Sequence, residues 1–281
     1  MDRSLRAIMV AVDYADLLAV TLPLNRHHFQ TVTIVTTPAD SPNVLPVAVA
    51  NEAEVICTNA FTKGGAEFNK WAALEQGLNL IGRFGWLCLM DADVIWPQRV
   101  DLDLQVGQLT TPVRRMLDPL PVPFAVPPEL AWKTLPIHPN LGEWAGYSQI
   151  FHASDPALPL PPWHEIDWRH AGGADSFFQQ RWKIGNKVRP SWECLHLGPA
   201  GVNWYGRATR RLDGTEPEGA REKMAKIHEI WEGRRRRRGR EELFGPEKLE
   251  KPLEKPVGSN PSPPGIRAAP EPGPGETWKG D

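Results

Sequence analysis

Two carboxylates, Asp91 and Asp93, stand one residue apart directly after the apolar run Trp86-Leu87-Cys88-Leu89-Met90. Acids at that spacing repel each other and lose hydration if the strand behind them is buried, so something cationic has to compensate them. A hard divalent ion that keeps open positions for phosphate oxygens is the natural candidate. Asp91 and Asp93 read equally well as turn or cap residues closing a strand.

The five apolar residues read as a strand buried on both faces, and in an open α/β sheet ligands sit beyond the carboxyl ends of the strands, where this pair falls. Upstream, Ala7 to Val12, Thr31 to Val35 and Ala53 to Cys57 read as further strands, with a helix-like segment from Ala15 to Leu24. Residues 63–80 form an amphipathic helix by the spacing of Phe68, Trp71, Leu74, Leu78 and Ile81. That alternation predicts a doubly wound, mainly parallel α/β sheet. From Thr111 to Asn140 proline is too dense for regular helix or a central strand, which predicts a long loop acting as lid or substrate wall. Trp144 to Phe151 resumes a strand, expected antiparallel; Asp175 to Trp182 is a helix; Trp192 to Gly198 is a short strand ending in His196 and Gly198.

In this order the chain resembles nucleotide-sugar-dependent glycosyltransferases of the GT-A fold. The stretches Phe68-Asn69-Lys70-Trp71-Ala72-Ala73-Leu74 and Leu89-Met90-Asp91-Ala92-Asp93-Val94 resemble the lysine-helix and aspartate signature of the glycogenin-like branch. His196-Leu197-Gly198 followed by Asn203-Trp204 is similar to that branch's C-terminal His-X-Gly…Lys-X-Trp motif. Ala171-Gly172-Gly173-Ala174-Asp175-Ser176 resembles the Gly-Gly-Glu-Asp element of inverting family-2-type enzymes, with Ala174 in place of glutamate. The resemblance covers residues 6–207 and implies a GT-A (Rossmann-like) doubly wound mixed sheet in one catalytic domain, residues 1–212, then a basic helical extension, 213–244, and a disordered Pro/Gly-rich tail, 245–281.

The resemblance further implies a UDP-sugar donor with Mn²⁺ or Mg²⁺. Asp93 would ligate the metal, Asp91 would ligate it or bind the ribose hydroxyls, and His196 would be a third ligand. Gly198 would let the backbone approach phosphate. Against this stands a strand-end histidine bonded to a carbonyl. Lys70 would reach the diphosphate or face solvent from its helix. Asn203 replaces the motif's second lysine, so the pyrophosphate clamp is incomplete or supplied by Arg207. Asp13 and Tyr14, and after the second strand Thr37, are placed to contact base and ribose, or are ordinary loop residues. Asp175 would deprotonate an acceptor hydroxyl in an inverting reaction, or serve as a helix N-cap.

Hydrophobic content of 41% and charged content of 23% suit a globular protein of 281 residues, and the net charge of −2 names no partner. Cys57, Cys88 and Cys194 lie too far apart for a zinc cluster or disulfide framework, which fits a reducing cytoplasm. No apolar run is long enough to span a bilayer, and the first residues do not read as a signal peptide. A nucleotidyltransferase would want a glycine-rich basic loop after the first strand, and Val12-Asp13-Tyr14-Ala15-Asp16 has neither feature. Arg234 to Arg238 with Arg240 is an electrostatic footprint for a polyanion. It raises the expectation of a nucleic-acid acceptor such as hydroxymethylated pyrimidine in DNA, the phage type of modification, beside saccharide, lipid-headgroup and protein acceptors or a non-enzymatic nucleic-acid-binding role. Trp144, Trp163 and Trp168 could stack on a base or a sugar ring.

Overall fold

The computed structural model describes residues 4–138, 144 and 146–244, the side chains of residues 234–244 excepted. In chain order the elements are β1 (Leu5–Val10), α1 (Ala15–Asn25), β2 (Thr31–Thr36), α2 (Ser41–Ala50), β3 (Glu54–Cys57), α3 (Lys70–Ile81), β4 (Trp86–Asp91) and β5 (Val94–Ile95). They continue with β6 (Leu109–Thr110), β7 (Val113–Leu117), α4 (Glu129–Trp132), β8 (Ser148–His152), α5 (Ala174–Gln179), β9 (Lys187–Val188), β10 (Glu193–Leu197) and α6 (Ala220–Phe244). Among the described residues one sheet runs β3-β2-β1-β4-β8-β6-β9, and a small second sheet runs β5-β10-β7.

The first four strands of the large sheet are parallel, and β8 joins β4 antiparallel as the sequence suggests. Period-two alternation sorts β1 between two cores. Leu5, Ala7 and Met9 meet Leu18 and Leu22 of α1 and Val44 and Ala48 of α2, whereas Ile8 and Val10 meet Trp71, Leu74 and Leu78 of α3. Helices therefore cover both faces, which is why β1 and the apolar part of β4 are buried along their whole length. The result is the expected doubly wound mixed α/β sheet.

Several boundaries differ from the sequence reading, each for a local reason. The helix expected over 63–80 begins at Lys70, because Asn69 is its N-cap: the Asn69 side chain accepts from the Ala72 amide at 2.9 Å and donates to the Ile166 carbonyl at 2.6 Å. Asn69→Ala should cost about 1 kcal/mol for the cap, with somewhat more for the lost tie to Ile166, read as a lower urea midpoint at unchanged slope. An unchanged midpoint would mean the cap is replaced by water. The proline-rich stretch contains β7 ahead of Pro119 and the single helical turn α4, for which Pro128 supplies the N-cap position. β7 is an edge strand, so its neighbour Pro112 costs no central ladder bond. The strand expected from Trp144 begins only at Ser148, since the Gly146 amide is taken by Asp175 Oδ2 at 2.7 Å.

Residues 1–232 form one compact unit and residues 233–281 a second, the boundary falling within α6. The expected tail over 245–281 lies outside the described residues, as do the side chains of Arg234 to Arg240. Among the described residues no helix is long and apolar enough to cross a membrane.

Candidate active site

Asp91 is the last residue of β4, and its amide donates to the Tyr147 carbonyl at 3.0 Å. Beyond it the backbone is clamped from α1. Thr21 Oγ1 donates to the Ala92 carbonyl at 2.7 Å, Asn25 Nδ2 donates to the Val94 carbonyl at 2.7 Å, and Asn25 Oδ1 accepts from the Trp96 amide at 2.8 Å. From the other side the Leu197 amide donates to the Asp93 carbonyl at 2.9 Å, and β10 pairs with β5 with His196 opposite Val94. Every one of these fixed points is a backbone group, so the turn is held without using either carboxylate.

The Asp93 side chain is buried, and its Oδ1 has no hydrogen-bond partner among the described residues. Burial holds its carboxyl above the usual carboxylate range; the Asp91 charge adds to this, and His196 and Lys70 oppose it. His196 Nε2 stands 3.7 Å away, too far for a hydrogen bond. The other ring nitrogen, Nδ1, donates to the Gly198 carbonyl at 3.1 Å. A carbonyl only accepts, so in the neutral ring Nε2 presents a lone pair towards Asp93. The buried Asp93 carboxyl and the His196 imidazole thus face each other at 3.7 Å without a hydrogen bond between them. A backbone-anchored Nδ1 is also how a histidine is oriented for ligating through Nε2.

Lys70, the first residue of α3, is not a solvent-facing lysine. Its ammonium is ion-paired with Asp91 Oδ1. Burial works against that ammonium, but Asp91, with Asp175 and Asp93 behind it, raises its pKa above the ordinary lysine value. Tyr14, just before α1, feels the charge of both acids and lies under the Arg207 guanidinium, 5.0 Å from its ring centroid. Burial pushes its phenol well above the ordinary value, and the Asp93 and Asp91 charges push it further against the opposing Arg207. Lys70, Tyr14, Asp91, Asp93 and His196 are therefore one cluster, drawn from the starts of α1 and α3 and the ends of β4 and β10.

Other expected site residues go elsewhere. The Arg207 guanidinium is fully buried and all its N–H groups are engaged: with both oxygens of Asp16, with the Asp13 carbonyl at 2.7 Å, the Arg210 carbonyl at 2.9 Å and the Thr209 carbonyl at 3.2 Å. It has none left for a pyrophosphate. Asn203 Oδ1 accepts from the Ala208 and Thr209 amides at 2.8 and 3.3 Å, bracing its own loop rather than standing in for a lysine. The Gly198 amide donates to the Leu117 carbonyl at 2.9 Å, so this residue, at φ 83°, aims His196 and leaves no amide for phosphate. Thr37 Oγ1 accepts from the Asp40 amide at 3.1 Å, a turn-forming contact before α2. Asp13 does stand at the crevice, with the uncommon φ of 62°, but its carboxylate is paired with Arg211 at 2.6 Å.

Asp175 lies inside α5, whose cap position is Gly173, so it is not an N-cap. Its Oδ2 accepts from the Gly146 amide at 2.7 Å and its Oδ1 from the Ser176 amide at 2.9 Å, while its charge acts on Lys70. Gly146 is obligatory here, because a Cβ would lie 2.7 Å from the Asp175 Cβ.

Two neighbours were not legible in sequence. Arg114 of β7 pairs in register with Cys194, two residues before His196, and its guanidinium packs over the Tyr147 ring at 4.5 Å. His138 is held down to about 4 by burial, with the Arg114 and His196 charges adding to it. Only the β7–β10 register, which joins segments 80 residues apart, puts Arg114 on the face of His196.

Among the described residues no group of three or more His, Cys, Asp or Glu side chains is arranged to hold a metal ion. What the cluster offers is a pair, Asp93 and His196, with Asp91 occupied by Lys70. The orphaned Asp93 Oδ1 and the facing imidazole suit a hard divalent ion bound through few protein groups and completed by substrate phosphates.

No family profile and no curated protein matches this sequence. Among solved structures it is similar to glucosyl-3-phosphoglycerate synthase from Mycobacterium tuberculosis, in complex with Mn²⁺, UDP and glucosyl-3-phosphoglycerate, at 17% identity over 70% of this chain and 71% of that one, with a TM-score of 0.39. It is similar to the inositol-1-phosphate CTP transferase from T. maritima at 10% identity over 80% of this chain and 96% of that one, TM-score 0.44. An overlap with a mycobacterial protein takes in 41% of this chain and 42% of that one, at 17% identity and a TM-score of 0.29. No residue role rests on these partial overlaps.

Proposed function

We propose that the protein is a metal-dependent glycosyltransferase that moves a sugar from a nucleoside-diphosphate sugar, UDP-linked by the resemblance of its motifs, to an acceptor hydroxyl. The observation that carries the reading is the orphaned Asp93 carboxylate facing His196 beyond the end of β4, beside the paired Lys70 and Asp91. Asp93 and His196 would hold Mn²⁺ or Mg²⁺, which supplies Lewis-acid stabilisation of the charge that builds on a departing diphosphate. Lys70 is already a desolvated cation and can exchange Asp91 for a phosphate oxygen, freeing that acid for the ion or the ribose. Tyr14, protonated throughout the physiological range, can donate a hydrogen bond to the donor. Asp175 keeps lone pairs beyond its two backbone bonds and serves as the base for the acceptor hydroxyl.

A nucleotidyltransferase is the second reading. The absence of any glycine or basic residue in Val12-Asp13-Tyr14-Ala15-Asp16 supports glycosyl over nucleotidyl transfer. The nucleic-acid acceptor rests on Arg234 to Arg240 and on the tryptophans offered for stacking, of which Trp144 and Trp163 are buried, and draws no support from the cluster.

With only two protein groups facing the ion, Mn²⁺ alone should hardly move the melting temperature and UDP alone should move it little. Together at about 100 times their dissociation constant they should add about 2.7 kcal/mol. Scanning fluorimetry of the four combinations checks this; equal shifts with UDP in the presence of a chelator would remove the metal from the reading. Release of UDP from UDP-sugar, against release of pyrophosphate from CTP or UTP with a sugar phosphate, separates the two reactions.

A further inference from the structure

Among the described residues every buried or half-buried arginine but one spends its guanidinium on the protein itself. Arg6 donates to the Ile81, Gly82 and Phe84 carbonyls, and Arg115 forks onto both oxygens of Glu193 at 2.7 and 2.8 Å. The exception is Arg114, half-buried on β7. Its guanidinium makes no hydrogen bond and no ion pair among the described residues. Its nitrogens are not among the buried unpartnered atoms either, so they open to solvent.

One face of the Arg114 guanidinium lies on the Tyr147 ring, 4.5 Å from its centroid, which fixes the plane and leaves the donors along its edge unused. The groups around it are neutral at physiological pH. Burial pushes the Tyr147 phenol and the Cys194 thiol up to about 12 and His138 down to about 4. A partly desolvated cation without a counter-charge is unfavourable. A planar fork with a free edge is the shape that grips a carboxylate or phosphate through two parallel bonds. Arg114 also stands where a substrate would reach it. It is the register partner of Cys194, and His196 lies two residues further along the same face of β10. The charges of Arg114 and His196 both act on His138. Tyr147 follows Gly146, whose amide donates to Asp175 at 2.7 Å. Arg114 therefore borders both the candidate metal ligand and the segment that holds the candidate base.

We propose that Arg114 receives the phosphate or carboxylate of an anionic acceptor, so that the hydroxyl compound accepting the sugar carries a negative charge. This rests on the transferase reading only in making the anion the acceptor. In that reading Lys70 and the metal ion serve the diphosphate, which leaves Arg114 for the other substrate.

The test is scanning fluorimetry of the full chain with glycerol 3-phosphate, glycerate and uncharged glycerol, each without and with saturating UDP and Mn²⁺. At least one of the two anions should raise the melting temperature in both conditions, and glycerol in neither. Arg114→Gln should weaken that anion by about tenfold or more and leave UDP–Mn²⁺ affinity unchanged. Arg114→Lys keeps the charge and loses the fork, so it should fall between the two; it carries the test if the glutamine variant does not fold. Arg99→Gln, at an exposed arginine, should change nothing. Failure of both anions to bind, or equal binding in wild type and both Arg114 variants, overturns the proposal. Displacement of the anion by UDP–Mn²⁺, or a tenfold loss of UDP–Mn²⁺ affinity in Arg114→Gln, overturns it by giving Arg114 to the donor. A wild type that binds the anion through Arg114 but does not bind UDP–Mn²⁺ defeats the transferase reading and leaves the anion site standing.

Discussion

Asp93→Asn should yield a protein that is more stable than the wild type and far slower in transfer. The carboxylate is buried, its Oδ1 is unpartnered, and its pKa is raised, so the fold favours the uncharged form. For a raised acid the sign is fixed: stability is lost as pH climbs from the ordinary aspartate range through the raised folded value, because ionisation is then harder in the folded state. An asparagine of the same shape removes that cost and can donate to His196 Nε2, a gain of about 1 kcal/mol at neutral pH, or roughly 2–4 °C in melting temperature. The gap between variant and wild type should close as pH is lowered, since Asp93 then protonates and loses its penalty. Transfer should fall by about 10²–10³-fold, the scale for one electrostatic element at a developing charge, and the joint UDP–Mn²⁺ shift should vanish. A melting temperature that drops would show that Lys70 and His196 already satisfy this carboxylate. Full activity with metal still required would place the ion elsewhere.

The same residue shows what a sequence can and cannot carry. Five apolar residues ending in two acids locate β4 and the crevice, because burial and period are local properties of the chain. The pairing of Asp93 with His196 is a property of the β5–β10 register, and motif order pointed to it only through a family resemblance. Lys70 was legible as a helix residue, but its turn inward depends on Asn69 starting α3 one residue before it. Thr21 and Asn25 read as unremarkable polar positions on α1, yet they clamp the acid-bearing turn, since a buried side chain reaching a backbone carbonyl leaves no periodic trace. The resemblance makes Gly198 room for phosphate, whereas its positive φ serves to bring its own carbonyl under the imidazole.

The motif resemblance leaves the pyrophosphate clamp either incomplete or supplied by Arg207; removal of Arg207 should instead be felt in stability. The guanidinium bridges Asp16 at the start of α1 to the carbonyls of Asp13, Thr209 and Arg210, so it ties the end of β1 to the segment after β10. Burial raises the Asp16 carboxyl, but the Arg207 pair and the Leu212 amide outweigh it and hold it below the usual aspartate range. Arg207→Ala leaves that acid without its buried counter-charge and several carbonyls without donors, at a cost of about 3–5 kcal/mol. At roughly 2–4 °C per kcal/mol for a domain of this size, the melting temperature should drop by on the order of 10 °C. Since the Asp16 pKa is depressed, the pair's contribution is present above the ordinary aspartate range and fades as pH falls through the lower folded value; the difference between wild type and variant should shrink in acid. Adding Asp16→Leu to Arg207→Met should recover part of the loss, because it removes the stranded charge. Arg207→Lys separates the two readings, as lysine keeps the charge but cannot fork to Asp16 and three carbonyls. A stability loss with UDP–Mn²⁺ affinity kept in the surviving folded fraction fits the structure. An unchanged melting temperature with affinity down by tenfold or more would return Arg207 to the phosphates.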